Sequence, residues 1–135
     1  DTVANSLLLD IIQFLVDKGL VQGDGIDAFR DYTPEAPDAL VSIHEYSGSP
    51  VLPYDSAAHR SVQILVRDPS ADTARQKAFS IFNIIHDALN TDGRLDFTPT
   101  RWGQVYLRQL PFFMKRDKSN RAYYIFNIGI TTNIE

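Results

Sequence analysis

Three histidines, His44, His59 and His86, are the side chains best suited to moving a proton near neutral pH. No pair of them has H-x-H or i, i+4 spacing, so no local metal-ligand motif is present. A serine nucleophile of the strand–turn–helix kind needs G-x-S-x-G, which is absent. The close carboxylate pairs, Asp24 with Asp27 and Asp92 with Asp96, fall in segments where turn formation and solvation account for them. Gly23-Asp24-Gly25 is too short to cradle a phosphate, and G-x-x-x-x-G-K-[ST] does not occur. The chain contains no cysteine, which excludes disulfides, thiolate zinc sites, iron–sulfur clusters and a thiol nucleophile. No catalytic, cofactor-binding or metal-ligating residue is therefore assigned. His44 is expected as a surface imidazole, opposite Val41 and Ile43 on a strand.

Surfaces carry the stronger signals. Lys115, Arg116, Lys118 and Arg121 surround Asp117 in a polar connector between two strand-like segments. Such a cluster is either a solvated hairpin tip or a contact for an acidic neighbour or a nucleic-acid backbone. No aromatic residue is interleaved within it, so base stacking is not expected. The aromatic residues concentrate late, at Phe97, Trp102, Tyr106, Phe112, Phe113, Tyr123, Tyr124 and Phe126. Strand alternation puts Phe112 and Phe113 on opposite faces, and likewise Tyr123 and Tyr124. With helices over one sheet face, one member of each pair lies on the other face. An apolar patch of that kind marks an interface.

These candidates need a scaffold. The chain has 135 residues, 13 Lys+Arg against 17 Asp+Glu, and a net charge of −4. It reads as one domain, 1–135, with a core that needs no staples. The acidic balance argues against a nucleic-acid coat, and no apolar run approaches the ~20 residues of a membrane helix. The chain opens at Asp1, as expected if a tag or leader was removed or the start trimmed, and Asp10 and Gln13 interrupt Leu7-Leu8-Leu9, so no signal-peptide pattern is visible.

The spacing predicts a helix over 2–18, with Leu8, Ile11, Ile12 and Leu15 on its core stripe and Gly19 as its stop. Its polar stripe, Thr2, Ser6, Asp10, Gln13 and Asp17, is narrow. Leu7 and Phe14 therefore require a second cover, from the other helix or from a neighbouring subunit. Strands are predicted at 26–32, 39–46 and 60–67, and 47–59 is a Pro- and Gly-containing loop. Asp68-Pro69-Ser70 starts a second helix reaching about residue 90, with Ala74, Ala78, Ile81, Phe82, Ile85 and Leu89 as its stripe. Segments 104–114 and 122–132 read as two long strands of a C-terminal hairpin, with Pro111 marking an edge or bulge. The fold class is α+β: a mainly antiparallel sheet with both helices on one face.

Three stretches in this order resemble the tail-terminator and minor-capsid (tail-to-head joining) proteins of long-tailed bacteriophages. They are the lead from Pro34 through Pro37-Asp38 into the strand ending at Tyr46, the strand Val62-Gln63-Ile64-Leu65-Val66-Arg67 running into the second helix, and the segment from Leu110-Pro111-Phe112-Phe113-Met114 through Arg121 to Tyr124 and Ile128. With the first helix, the resemblance spans nearly the whole chain. It implies a structural virion protein without catalytic residues or cofactor. Such proteins form a homo-oligomeric, hexameric ring on the tail tube protein, stop its growth and present the surface that joins head connector or neck proteins. The genome DNA passes only transiently through the ring. It implies a place in the virion tail or neck, host cytoplasm during assembly, and no membrane partner. The alternatives are another neck or minor-capsid component, or a small α+β domain binding a ligand or nucleic acid. The interface candidates are Lys115, Arg116, Lys118, Arg121, Phe112, Phe113, Tyr123, Tyr124, Leu7 and Phe14.

Overall fold

A computed structural model describes residues 7–46, 57–98 and 101–133, without the side chains of 57, 96–98, 101, 102 and 133. The expected start of the first helix at 2–6, most of the loop 47–59, and the side chains of Phe97 and Trp102 lie outside the described set. The order is α1 (Leu7–Asp17), β1 (Ala28–Arg30), β2 (Leu40–Tyr46), β3 (Ala57–Asp68), α2 (Ala71–Asp92), β4 (Leu95–Thr98), β5 (Arg101–Leu107), β6 (Phe112–Arg116) and β7 (Ala122–Asn133). The strands form one sheet in the order β1-β2-β3-β7-β5-β4, with β6 also paired to β7. Among the described strands only the β1–β2 pair is parallel. The protein is α+β, as expected.

Both helices end where their residue types dictate. Gly19 adopts φ +74°, which a side chain disfavours, and lets the chain reverse. Its N–H reaches the Val16 carbonyl at 2.9 Å, while the Leu20 N–H reaches that of Leu15 at 2.9 Å. This is a Schellman closure of α1. Ser70 caps α2 by accepting the Thr73 N–H at 3.3 Å, and the Asp68 carboxylate accepts the Ser70 N–H at 2.8 Å. Within the Asp68-Pro69-Ser70 start, Ser70 is the cap and Asp68 supports it.

Alternation sorts the sheet into two faces. Val41 and Ile43, Val62, Ile64 and Val66, and Ala122, Phe126, Ile128 and Ile130 join the buried residues of both helices in one core. The small Ala74 and Ala78 are fully buried, letting α2 lie close against β3 and β7. On the other face a smaller cluster forms from Phe29, Leu40, Leu65, Tyr123 and Ile125. Further along that face His59 is hydrogen-bonded to Thr131 at 2.7 Å and Arg108 donates to the Ser61 hydroxyl at 3.2 Å.

Several expectations need correction. The strand expected at 26–32 is confined to Ala28–Arg30, and both Ile26 and Tyr32 are exposed. Asp31 ends it at φ +58°, its carboxylate accepting the Glu45 N–H at 3.0 Å. The long strand expected over 104–114 is divided into β5 and β6 around Pro111, which has no N–H to donate. At the break the Arg108 N–H bonds the Asn127 carbonyl at 3.1 Å, and the Gln109 side chain accepts the Asn127 N–H at 3.3 Å. The side-chain amide thus replaces a ladder carbonyl. β4 is an additional strand directly after Gly93. Asp10, expected on the polar stripe of α1, is buried.

Candidate assembly surface

His44 is hydrogen-bonded beside the buried Ser42. Its Nε2 lies 2.7 Å from the Ser42 Oγ and 3.2 Å from the Thr33 Oγ1. Burial lowers its pKa, and the nearby Asp31 charge works against that shift. The imidazole expected at the surface is thus half-buried and engaged. The pair is not poised for nucleophilic attack: Ser42 is fully buried, and its hydroxyl donates to the Tyr32 carbonyl at 2.8 Å. An imidazole base would need that proton directed at itself. Among the described residues, no group of three His, Asp or Glu side chains is arranged to hold a metal ion. No helix among them is long and apolar enough to cross a membrane.

The hairpin between β6 and β7 contains two unlike regions. At its turn, the cluster read as either a solvated tip or a contact surface is organised around Asp117. Its carboxylate accepts the Ser119 and Arg121 N–H groups at 3.0 Å each, the Arg121 Nε at 2.9 Å and the Tyr123 hydroxyl at 3.0 Å. Desolvation pushes the carboxyl up, but the Arg121 N–H, the Arg121 guanidinium and the Tyr123 hydroxyl outweigh it and hold the pKa well below the usual range. The hydrogen bond to Asp117 in turn raises the pKa of Arg121, against a smaller opposing effect of desolvation. Asn120 takes φ +62° to complete the turn, a conformation asparagine tolerates.

Arg121 then reaches beyond the hairpin. It is 4% exposed, donates to the Glu35 carbonyl at 2.5 Å and pairs with the carboxylates of Glu35 at 3.0 Å and Asp38 at 3.3 Å. Arg67, 2% exposed on the adjacent strand, donates to the carbonyls of Glu35 at 3.2 Å, Pro37 at 2.5 Å and Asp38 at 3.1 Å. Two guanidinium groups therefore fasten the Pro34–Asp38 strap to the sheet. The fork geometry of arginine suits several carbonyls at once, which a lysine could not match. The strap, the end of β3 and the hairpin are the three stretches that carried the family resemblance, and they meet at this latch.

Along β6 the picture reverses. All five of its residues are exposed, and β7 is its only strand neighbour among the described residues. Phe112, Phe113 and Met114 are 43%, 48% and 46% exposed, with Leu110 at 61% beside them. A bulge between Phe113 and Lys115 turns Lys115 onto the face of Phe112, where its ammonium lies 5.1 Å from the Tyr123 ring centre. Phe113 meets Tyr124 edge-to-face at 5.8 Å. An apolar edge strand is a template for another chain.

The residues singled out in the sequence thus separate. Phe112, Phe113, Lys115, Arg116 and Lys118 are exposed, and Tyr124 is half-buried. Arg121 and Tyr123 are consumed by the latch and the small cluster. Leu7 and Phe14, at 0% and 8% exposure, are covered within the chain, and α1 packs on β4, β1 and β2. The second cover that α1 requires is supplied without a neighbouring subunit. Arg67 was missed. Its signal was a cation two residues after Leu65, on the same apolar face of a buried strand.

Residues 14–134 match the family model described as bacteriophage tail terminator protein. No curated protein matches the chain.

Proposed function

This chain belongs to the bacteriophage tail terminator family, a family of structural virion proteins, and we propose on that premise that it caps the tail tube as a ring and forms the tail-to-head joining surface. The observation that carries the reading is β6: an exposed apolar edge strand on a domain whose core is otherwise complete. A domain that needed no partner would cover or charge that edge. Here Lys115 and Arg116 guard only one end of it, leaving Phe112, Phe113 and Met114 for specific contact. Repetition around a ring would multiply a weak contact at each edge into stable assembly.

The partners in this reading are further copies of the chain, the tail tube protein beneath and the head connector or neck proteins above. DNA would cross the lumen only in passage, consistent with a net charge of −4. Lys115, Arg116 and Lys118 would steer docking to an acidic protein surface more than strengthen it. Size-exclusion chromatography with light scattering tests the ring. A species of about six subunits is expected from the family reading, and a strict monomer at every concentration, with or without tail tubes, would contradict it.

A further inference from the structure

At the sheet edge opposite β6 the surface has the complementary character. A cleft of about 510 Å³ is lined by Asp24, Gly25, Phe29, Arg30, Asp31 and Tyr32. Phe29 and Tyr32 meet edge-to-face at 5.8 Å in its wall. Asp24 and Arg30 pair at 3.1 Å on its rim, so Asp31 supplies the net negative charge there. Ile26, next to Gly25, is 57% exposed, and Tyr32 is 58% exposed. The β6 edge offers the converse: protruding Phe112, Phe113 and Met114 flanked by Lys115 and Arg116, while the nearby carboxylate of Asp117 is taken by Arg121 and Tyr123.

The two edges are level across the sheet. Ala28 pairs with Val41, Val41 with Val66, Val66 with Tyr124, and Tyr124 with Phe113. The next row runs Phe29, Ser42, Leu65, Ile125, Phe112. Phe29 in the cleft and Phe112 on the free edge are therefore the two ends of one row. With strands ~4.8 Å apart, four steps separate them by roughly 19 Å, so they cannot meet within one chain.

We infer that the β6 edge of one copy docks into the Asp24–Tyr32 cleft of the next, a head-to-tail contact with a second copy of this chain as the occupant. This deepens the ring reading and rests on it. A β6-to-β6 contact would be isologous and would close at two copies, whereas a ring of more than two needs different surfaces that meet. The charges choose the same pairing, cationic edge to carboxylate rim.

The absence of native cysteine permits a direct test. Met114→Cys and Ile26→Cys replace exposed side chains at the edge and beside the cleft, and circular dichroism checks that both variants fold. Under oxidation the double variant is expected to give a ladder of cross-linked species, and an equal mixture of the two single variants a cross-linked dimer that goes no further. Light scattering on the unmodified chain reads ring formation separately. Rings without a ladder would overturn this contact and leave the ring standing. Self-cross-linking of Met114→Cys alone, as efficient as in the mixture, would replace it with edge-to-edge pairing. Neither rings nor ladder at any concentration, with or without tail tubes, would remove both readings.

Discussion

The turn of the C-terminal hairpin and the strand that leads into it are separated by a few residues and have opposite fates. At the turn, Asp117 gathers two backbone N–H groups, a guanidinium and a phenol hydroxyl, and Arg121 extends that network to the Pro34–Asp38 strap. In β6, Phe112, Phe113 and Met114 keep close to half of their surfaces in solvent. Charge has gone inside and apolar surface outside. A buried cation is costly unless every donor finds an acceptor, and the strap carbonyls supply those acceptors. An exposed apolar strand is a liability unless something covers it. The latch is therefore a device of the fold, and the edge is where the proposed partner contact would fall.

The contrast can be broken most severely at the latch. Arg67→Met should leave the Pro37 and Asp38 carbonyls without their Arg67 donor, while Glu35 keeps Arg121, at a cost of roughly 1–3 kcal/mol. Thermal unfolding should show a clear fall in Tm, while chains that remain folded still associate. A Tm equal to that of the parent would mean that the strap is not held by Arg67.

Acid should act on the latch and spare the edge. The Asp117 pKa is depressed from its ordinary 3.8, so the carboxylate stabilises the fold fully above that pH. The contribution is lost as pH falls below 3.8 through the folded-state value, because the unfolded chain then takes up the proton first. Asp117→Asn should lower stability at neutral pH and flatten this acid slope. Equal slopes in both chains, measured by denaturant unfolding across the acid range, would assign the loss to other carboxylates.

The smallest effect is expected from replacing Lys115, Arg116 and Lys118 together with Ser. Each surface change should alter stability by no more than about 0.5 kcal/mol. Docking to tails should slow and lose much of its salt dependence. A docking rate that keeps the parent's response to salt would reduce these cations to a solvated turn.

Much of the scaffold was legible because periodicity and caps are local. The stripe of α2 and its Asp68-Pro69-Ser70 start follow from neighbours in sequence, as do the alternating faces of β3 and β7. The latch was not legible, since Arg121 meets Glu35 and Asp38 across more than eighty positions of chain. A row of cations around one Asp reads as solvated unless the distant acceptors are known. The exposed strand was half legible. Alternation placed Phe112 and Phe113 on opposite faces, but only the break at Pro111 makes β6 an edge on which both are exposed. Tyr123 illustrates the converse. It does lie on the face away from the helices, where Arg67, Asp117 and Lys115 surround it.

Phe113→Glu tests the central claim most directly, since it charges the edge and leaves the latch intact. Tails assembled with this variant, with the parent chain and with neither should be compared by negative-stain microscopy, after confirming that the variant melts with the parent. The account predicts that the variant reproduces the defect of the missing protein, overlong or unjoined tails, despite its native fold. Tails of normal length joined to heads in the variant particles would contradict it.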